Sequence, residues 1–242
     1  MPRRVKHLLF PQGGYEAGDG ISHMPLAFRD GLIKKMYLEF LPRPADGLFP
    51  RATDEPRNHV IIKLDLESTY DNVEGAIISM EMGKSISMDQ YNPGHFKVEP
   101  VGYAGVSDSS VRTFLLHARS DIPLGQMLHS IQVDNLHQFA FFITPGRSFG
   151  GRDWMAQLIL QLNLRGHLLN LGTTTVQPAT NVLSNQNALR VLGLRYRASP
   201  AGEPFFSSIQ CGFFTWYKRV RPGGIPYEGT LVAAEVELDM IK

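Results

Sequence analysis

The stretch FGGRDW, Phe149–Trp154, places two glycines before Arg152, Asp153 and Trp154. A helical pattern follows at Met155, Leu158, Ile159 and Leu162. The unpaired N–H groups and the dipole of a helix start favour negative charge, so the position suits a nucleophile or the oxygen of a polarised carbonyl. Gly151 supplies no nucleophile. What remains is the donor set of the helix start, with Arg152 as a further donor. His59 opens a strand after Asn58 and is the residue type for acid–base work near neutral pH. A surface or strand-edge histidine is the competing reading. His59 and Arg152 are the two candidate catalytic groups.

The other chemistry-bearing residues form no strong pattern. Glu16, Asp19 and His23 lie in a glycine-rich stretch without metal-ligand spacing, so a solvated loop is expected and no metal. The pairs Gly13–Gly14, Gly150–Gly151 and Gly223–Gly224 lack the Lys-Ser/Thr of a phosphate loop. The single cysteine, Cys211, sits in an apolar run and reads as inert core. Asp65, Glu67, Asp71 and Glu74 read as a solvated turn rather than a glycosidase pair. Met80 and Met82 are near neighbours, as are Phe213, Phe214, Trp216 and Tyr217. They fit the core or an apolar pocket. Adjacent aromatics on a strand point to opposite faces, so one ring of each pair needs a second apolar partner.

The elements that must position these groups follow from periodicity. LIKKMYLEFL (Leu32–Leu41) alternates at Met36, Leu38 and Phe40. NHVIIKLDLE (Asn58–Glu67) alternates at Val60, Ile62, Leu64 and Leu66. GAIISMEM, HFKVEPVGY, SVRTFLLHA and FAFFIT are further strands, after a short one at Val5–Phe10. Leu124, Met127, Leu128 and Ile131 form a helical stripe behind Pro123, and Gly166 stops the Trp154 helix. A third helix is expected in PATNVLSNQNALRVLG, capped near Pro178, and a long strand or hairpin over PFFSSIQCGFFTWYKRV. A final strand is read in GTLVAAEVELDM. Pro42–Pro56, with four prolines, reads as a surface loop. The class is α+β: a mostly antiparallel sheet packed against two or three helices, with a β-rich C-terminal extension. The expectation is one domain over 1–242. Its core lies at about 55–170, after a loop-rich segment 1–56 and before an aromatic part at 171–242.

Composition narrows the function classes. With 242 residues and 43% hydrophobic side chains, the chain can bury a core. Twenty-four basic against 23 acidic residues argue against non-specific nucleic-acid binding. One cysteine allows no disulfide within the chain, and no run approaches the roughly 20 apolar residues of a membrane helix. A cytosolic protein without a membrane span is the expectation.

The order Asn58-His59, Ser79–Met82, SSVRTF, the Leu124 helix and GGRDW resembles a fungal family of uncharacterised small domains. Members show Asn-His-Trp on a strand and, much later, Gly-Cys-Arg-aromatic-Trp at a helix start. That arrangement is similar to a permuted papain-like fold in which histidine precedes cysteine. The resemblance covers about residues 55–170. Gly150, Arg152 and Trp154 match, whereas Val60 stands for tryptophan and Gly151 for cysteine. The resemblance therefore implies a kept base position, His59, without a thiol to activate, and thiol-based acyl transfer is closed. It implies a site put to another use: a cofactor-independent cyclase or isomerase of fungal secondary metabolism. Ring closure would be of Diels–Alder type or assisted by acid–base groups, on an apolar terpenoid or polyketide intermediate. Gly151, Trp154, Met80, Met82, Phe214 and Trp216 are the expected substrate-lining residues. Two alternatives stand beside it: a non-catalytic binding or accessory pseudo-enzyme, and a hydrolase with a relocated nucleophile such as Cys211 or a serine.

Overall fold

The alternation at Val60, Ile62, Leu64 and Leu66 is that of β3 (Asn58–Tyr70), and all four side chains are buried. The computed structural model describes residues 10–42, 58–83, 91–144, 147–177, 186–196 and 204–215. β3 turns back into β4 (Val73–Met82) through Asp71 and Asn72, both at positive φ (48° and 66°). Two such residues make the tight turn whose twist matches a hairpin, and Asp and Asn tolerate that conformation better than most.

The other strands are β1 (Tyr15–Glu16), β2 (Ile33–Pro42), β5 (Tyr91–Val101), β6 (Arg112–Ala118), β7 (Phe139–Thr144), β8 (Arg147–Phe149), β9 (Leu168–Gln177), β10 (Gln186–Asn187) and β13 (Phe213–Phe214). Together the eleven form one antiparallel sheet in the order β10-β9-β6-β2-β3-β4-β5-β7-β13, with β1 beside β5 and β8 beside β7. β11 (Leu194–Arg195) and β12 (Phe205–Phe206) make a separate two-stranded ladder. The fold is α+β, as the periodicity predicts.

The helices are α1 (Leu26–Arg29), α2 (Leu124–Val133), α3 (Gly151–Leu164) and α4 (Ala188–Leu192). The α2 stripe of Leu124, Met127, Leu128 and Ile131 is fully buried. Burial of each such side chain stabilises by roughly 1.5–3 kcal/mol before the entropy of ordering is counted. α3 buries Trp154, Met155, Leu158, Ile159 and Leu162. These pack with Met36, Leu38, Phe40, Val60, Ile62, Ala76 and Ile78 in one core.

Several expectations are corrected. β2 lies at the centre of the sheet, between β6 and β3, so the core extends well outside 55–170. Over its described residues, 204–215, the aromatic C-terminal run is neither a long strand nor a hairpin. Two-residue strands, β12 and β13, bracket an irregular segment, 207–212. The stretch PATNVLSNQNALRVLG does hold a helix over its described residues, Ala188–Leu192, where the Asn187 side chain accepts the Leu189 N–H; its expected start at Pro178 lies outside the described residues. Asp65 is not on a solvated turn. It is buried on the reverse face of the sheet, paired with fully buried Lys63. Val5–Leu9, 43–57, Pro178, Trp216, Tyr217 and the strand read in GTLVAAEVELDM lie outside the described residues.

Candidate functional site

α3 begins where three backbones crowd together. Gly150, its N-cap, has φ 118°, which an L side chain rarely adopts. A Cβ there would stand 2.8 Å from Phe139 Cζ and 3.0 Å from Gly212 Cα. A Cβ on Gly212 would overlap the same ring and lie 2.8 Å from the Ala140 carbonyl oxygen. Two glycines thus let segment 207–214 lie directly against the helix start. Gly151 differs: a Cβ there would meet only Phe141 Cε1, at 3.6 Å, an ordinary contact.

The three side chains after the glycines each hold something in place. Arg152 donates from Nη1 to the carbonyls of Leu192 (3.0 Å) and Ser207 (3.1 Å). From Nη2 it donates to Ser207 Oγ (3.2 Å) and the Ser208 carbonyl (3.0 Å). Burial first, and the charge of Arg195 second, pull its pKa down to about 10, so it stays a cation at neutral pH. Asp153 Oδ2 accepts the Gly212 N–H at 2.9 Å. Trp154 is fully buried, and its indole N–H donates to the Leu136 carbonyl at 2.8 Å. Arg152, Asp153 and Trp154 therefore lock the helix start to α4, to segment 207–212 and to the end of α2.

A cavity of about 110 Å³ opens beside this start. Of the expected site residues, the structure brings His59, Met80, Gly151, Arg152 and Trp154 to its wall. Met82 packs partly buried against the core, and Phe214 is buried against Phe139 with ring centroids 4.8 Å apart. Neither lines the cavity. Asn58, Phe141, Ser148, Arg195 and Gln210 do, and their chemistry was not singled out from the sequence. Ser148 sits just before the glycines. Gln210 carries no sequence signal, because Arg152 and Asp153 place its segment from far away in the chain.

The register of β2 against β3 is unbroken through Phe40–Val60, Leu41–His59 and Pro42–Asn58. Side chains therefore alternate: Asn58 shares the core-facing side with Val60, and His59 shares the reverse side with Ile61 and Lys63. His59 borders the cavity from its strand, while parity directs its imidazole away from α3. Asn58 does face that way, and it is occupied. Its Oδ1 accepts the Tyr196 N–H (2.9 Å), and its Nδ2 donates to the Tyr196 carbonyl (3.0 Å). Gly150, the N-cap, has no side chain to accept from the first N–H groups of the helix, and the Trp154 N–H already closes on the Gly150 carbonyl at 2.8 Å.

On the reverse face, Lys63 donates to Asp65 and to the Tyr103 carbonyl, and Tyr37 donates to Asp65. Glu39 accepts the Ser107 N–H at 3.0 Å, which leaves its Oε2 without a donor. Burial raises the Glu39 pKa, against the opposing pull of the Ser107 hydrogen bonds and Lys63. Residues 103–107 are thereby latched over the sheet. Among the described residues no group of three or more His, Cys, Asp or Glu is placed to hold a metal, and Glu16 pairs with His95. No helix among them is long and apolar enough to cross a membrane. No family model, curated protein or solved structure matches the chain.

Proposed function

We propose that the cavity at the start of α3 holds the carbonyl end of a small molecule, and that the protein is a cofactor-independent cyclase or isomerase working by orientation. The observation that carries this reading is Gly151. It opens the cavity beside uncapped N–H donors at the place where the resembling family carries its nucleophile, and the fold there leaves room for a side chain.

Magnitudes choose between the two forms of ring closure. Holding reacting atoms in a near-attack geometry is worth about 7–11 kcal/mol. Donors on a carbonyl conjugated with the reacting double bond polarise it further, a smaller gain than the roughly 3–4 kcal/mol found for a full oxyanion. Neither needs a proton carrier. The parity of His59 and the four acceptors held by Arg152 weigh against the acid–base form, so a pericyclic, Diels–Alder-type closure is the form proposed. Size narrows the substrate. A cavity of ~150 Å³ takes a benzene ring, whereas whole ligands of drug size need about 300–1,000 Å³. A cavity of about 110 Å³ is smaller than either and admits only a short carbonyl-bearing end, with the apolar remainder at its mouth. This favours a polyketide-like intermediate over a terpene hydrocarbon.

The accessory-protein reading has its own support. Each of the four acceptors of the Arg152 side chain is structural, and a fold that keeps its motif for structure needs no turnover. Disruption of the gene with high-resolution mass analysis of metabolites separates the two. A cyclase loses one product and accumulates a compound of identical mass. An unchanged profile supports the accessory reading, and a difference of water or an acyl group supports a hydrolase, for which Ser148 at the cavity wall is the nearest serine.

A further inference from the structure

Arg152 and Arg195 both line the cavity, and among the described residues on its wall there is no Asp or Glu. The two guanidiniums meet at one neutral acceptor, Ser207 Oγ. Arg152 Nη2 donates to it at 3.2 Å and Arg195 Nε at 2.8 Å. Like charges that share a hydroxyl repel each other, and Arg195 accordingly adds to burial in lowering the Arg152 pKa. The four acceptors around Arg152 are three carbonyls and that hydroxyl, so they hold its fork without neutralising its charge. The fifth N–H of Arg152, on Nε, finds no protein acceptor, and unlike the orphaned atoms of the interior it is not closed off from solvent. Asp153, the acid next in the chain, is turned to the Gly212 N–H and is not on the wall. Val60, Met80, Phe141 and Phe149 give the rest of the wall an apolar surface.

We propose that the cavity selects an anion, and that the carbonyl end it takes is a carboxylate carried on an apolar chain. Guanidinium N–H groups bind carboxylate oxygens more strongly than neutral ones, because the charges add to the hydrogen bonds. A carboxylate beside Arg152 and Arg195 supplies the negative charge that Ser207 does not. The apolar part of the wall receives the first carbons of the chain. A phosphate monoester brings a larger head and a second charge, and a cavity of about 110 Å³ with a partly apolar wall favours the smaller, singly charged group. A ketone or amide of the same shape gains no ion pairing. The proposal names the substrate class and rests on the reading of the cavity as a binding site.

The test is a ligand-observed NMR titration of hexanoate and hexanamide, which match in chain length and head shape and differ in charge. The proteins are wild type, Arg195→Gln, Arg195→Lys and the cavity-filling Gly151→Leu. The expected result is that wild type prefers hexanoate by about tenfold, the value of one charge-assisted hydrogen bond. Arg195→Gln removes most of that preference, and Arg195→Lys, which keeps the charge, retains it. Added salt weakens hexanoate and leaves hexanamide unchanged, a readout in wild type that serves where Arg195→Gln does not fold. Equal binding of the two probes, lost in Gly151→Leu, overturns the selection of an anion and leaves the cavity as a binding site. A hexanoate preference indifferent both to Arg195→Gln and to salt overturns the assignment to the arginines. Absence of binding by both probes, or binding unaffected by Gly151→Leu, overturns the proposal together with the reading beneath it.

Discussion

Asp153 and Gly212 stand 59 residues apart in the chain, and the carboxylate of one accepts the backbone N–H of the other at 2.9 Å. That bond joins the first turn of α3 to the segment carrying Gln210. It explains why a buried aspartate follows the glycines. Asp153→Ala leaves the Gly212 N–H without its acceptor. The expected loss is about 1.5–3 kcal/mol in urea unfolding, as for hydrogen bonds to charged groups. Asp153→Asn, which keeps an acceptor oxygen, loses less.

The glycines of the helix start are not equivalent. Gly150→Ala and Gly212→Ala both drive a methyl group into Phe139, and Gly150 adds a positive φ. Each is expected to destabilise by roughly 1–3 kcal/mol or more. Gly151→Ala meets only an ordinary contact. In the first turn of a helix it is expected to leave stability unchanged or raise it by up to about 1 kcal/mol. Thermal melts of the three variants rank them directly.

Arg152 is a planar fork with four acceptors around it, a geometry lysine lacks. Arg152→Lys is expected to cost about 1–2 kcal/mol, close to Arg152→Ala, because the part-buried carbonyls of Leu192 and Ser207 lose the fork that pairs them in both. If instead Lys restored wild-type stability, charge and not the fork would be what Arg152 supplies.

Glu39 gives the fold a pH dependence with a definite sign. Its folded-state pKa is raised above the usual 4.5, chiefly by burial. The folded state therefore binds the proton more tightly than the unfolded chain. The contribution is fully present below about 4.5 and is lost as pH rises through the folded value. Urea unfolding of wild type across that window is expected to show stability falling, relative to Glu39→Gln, as pH rises. Parallel profiles would contradict the assignment.

Much of the scaffold was legible because apolar periodicity fixes which face is buried. Val60, Ile62, Leu64 and Leu66 declare β3, and the Leu124 stripe declares α2. The same alternation also sets His59 opposite Val60, so the direction of its imidazole was readable from the strand alone. β9 was not legible. Its Asn170 and its run Gly172-Thr173-Thr174-Thr175 interrupt any apolar period, and pairing with β6 decides its conformation. Segment 207–212 has no period at all. Its place is set by Arg152, Asp153 and the space left by two glycines, all distant in the chain. Phe213 and Phe214 read as a strand, and among the described residues those two pair with Ala140 and Phe139, while β8 takes Phe142–Thr144 of β7.

The central claim is that the Gly151 cavity is where the protein acts. The direct measurement complements a gene-disruption strain with wild type or with Gly151→Leu and compares metabolites by high-resolution mass spectrometry. Wild type is expected to restore a product whose same-mass precursor accumulates in the disrupted strain. Gly151→Leu, present at equal level and melting at a similar temperature, is expected not to restore it. Full restoration by Gly151→Leu would contradict the claim.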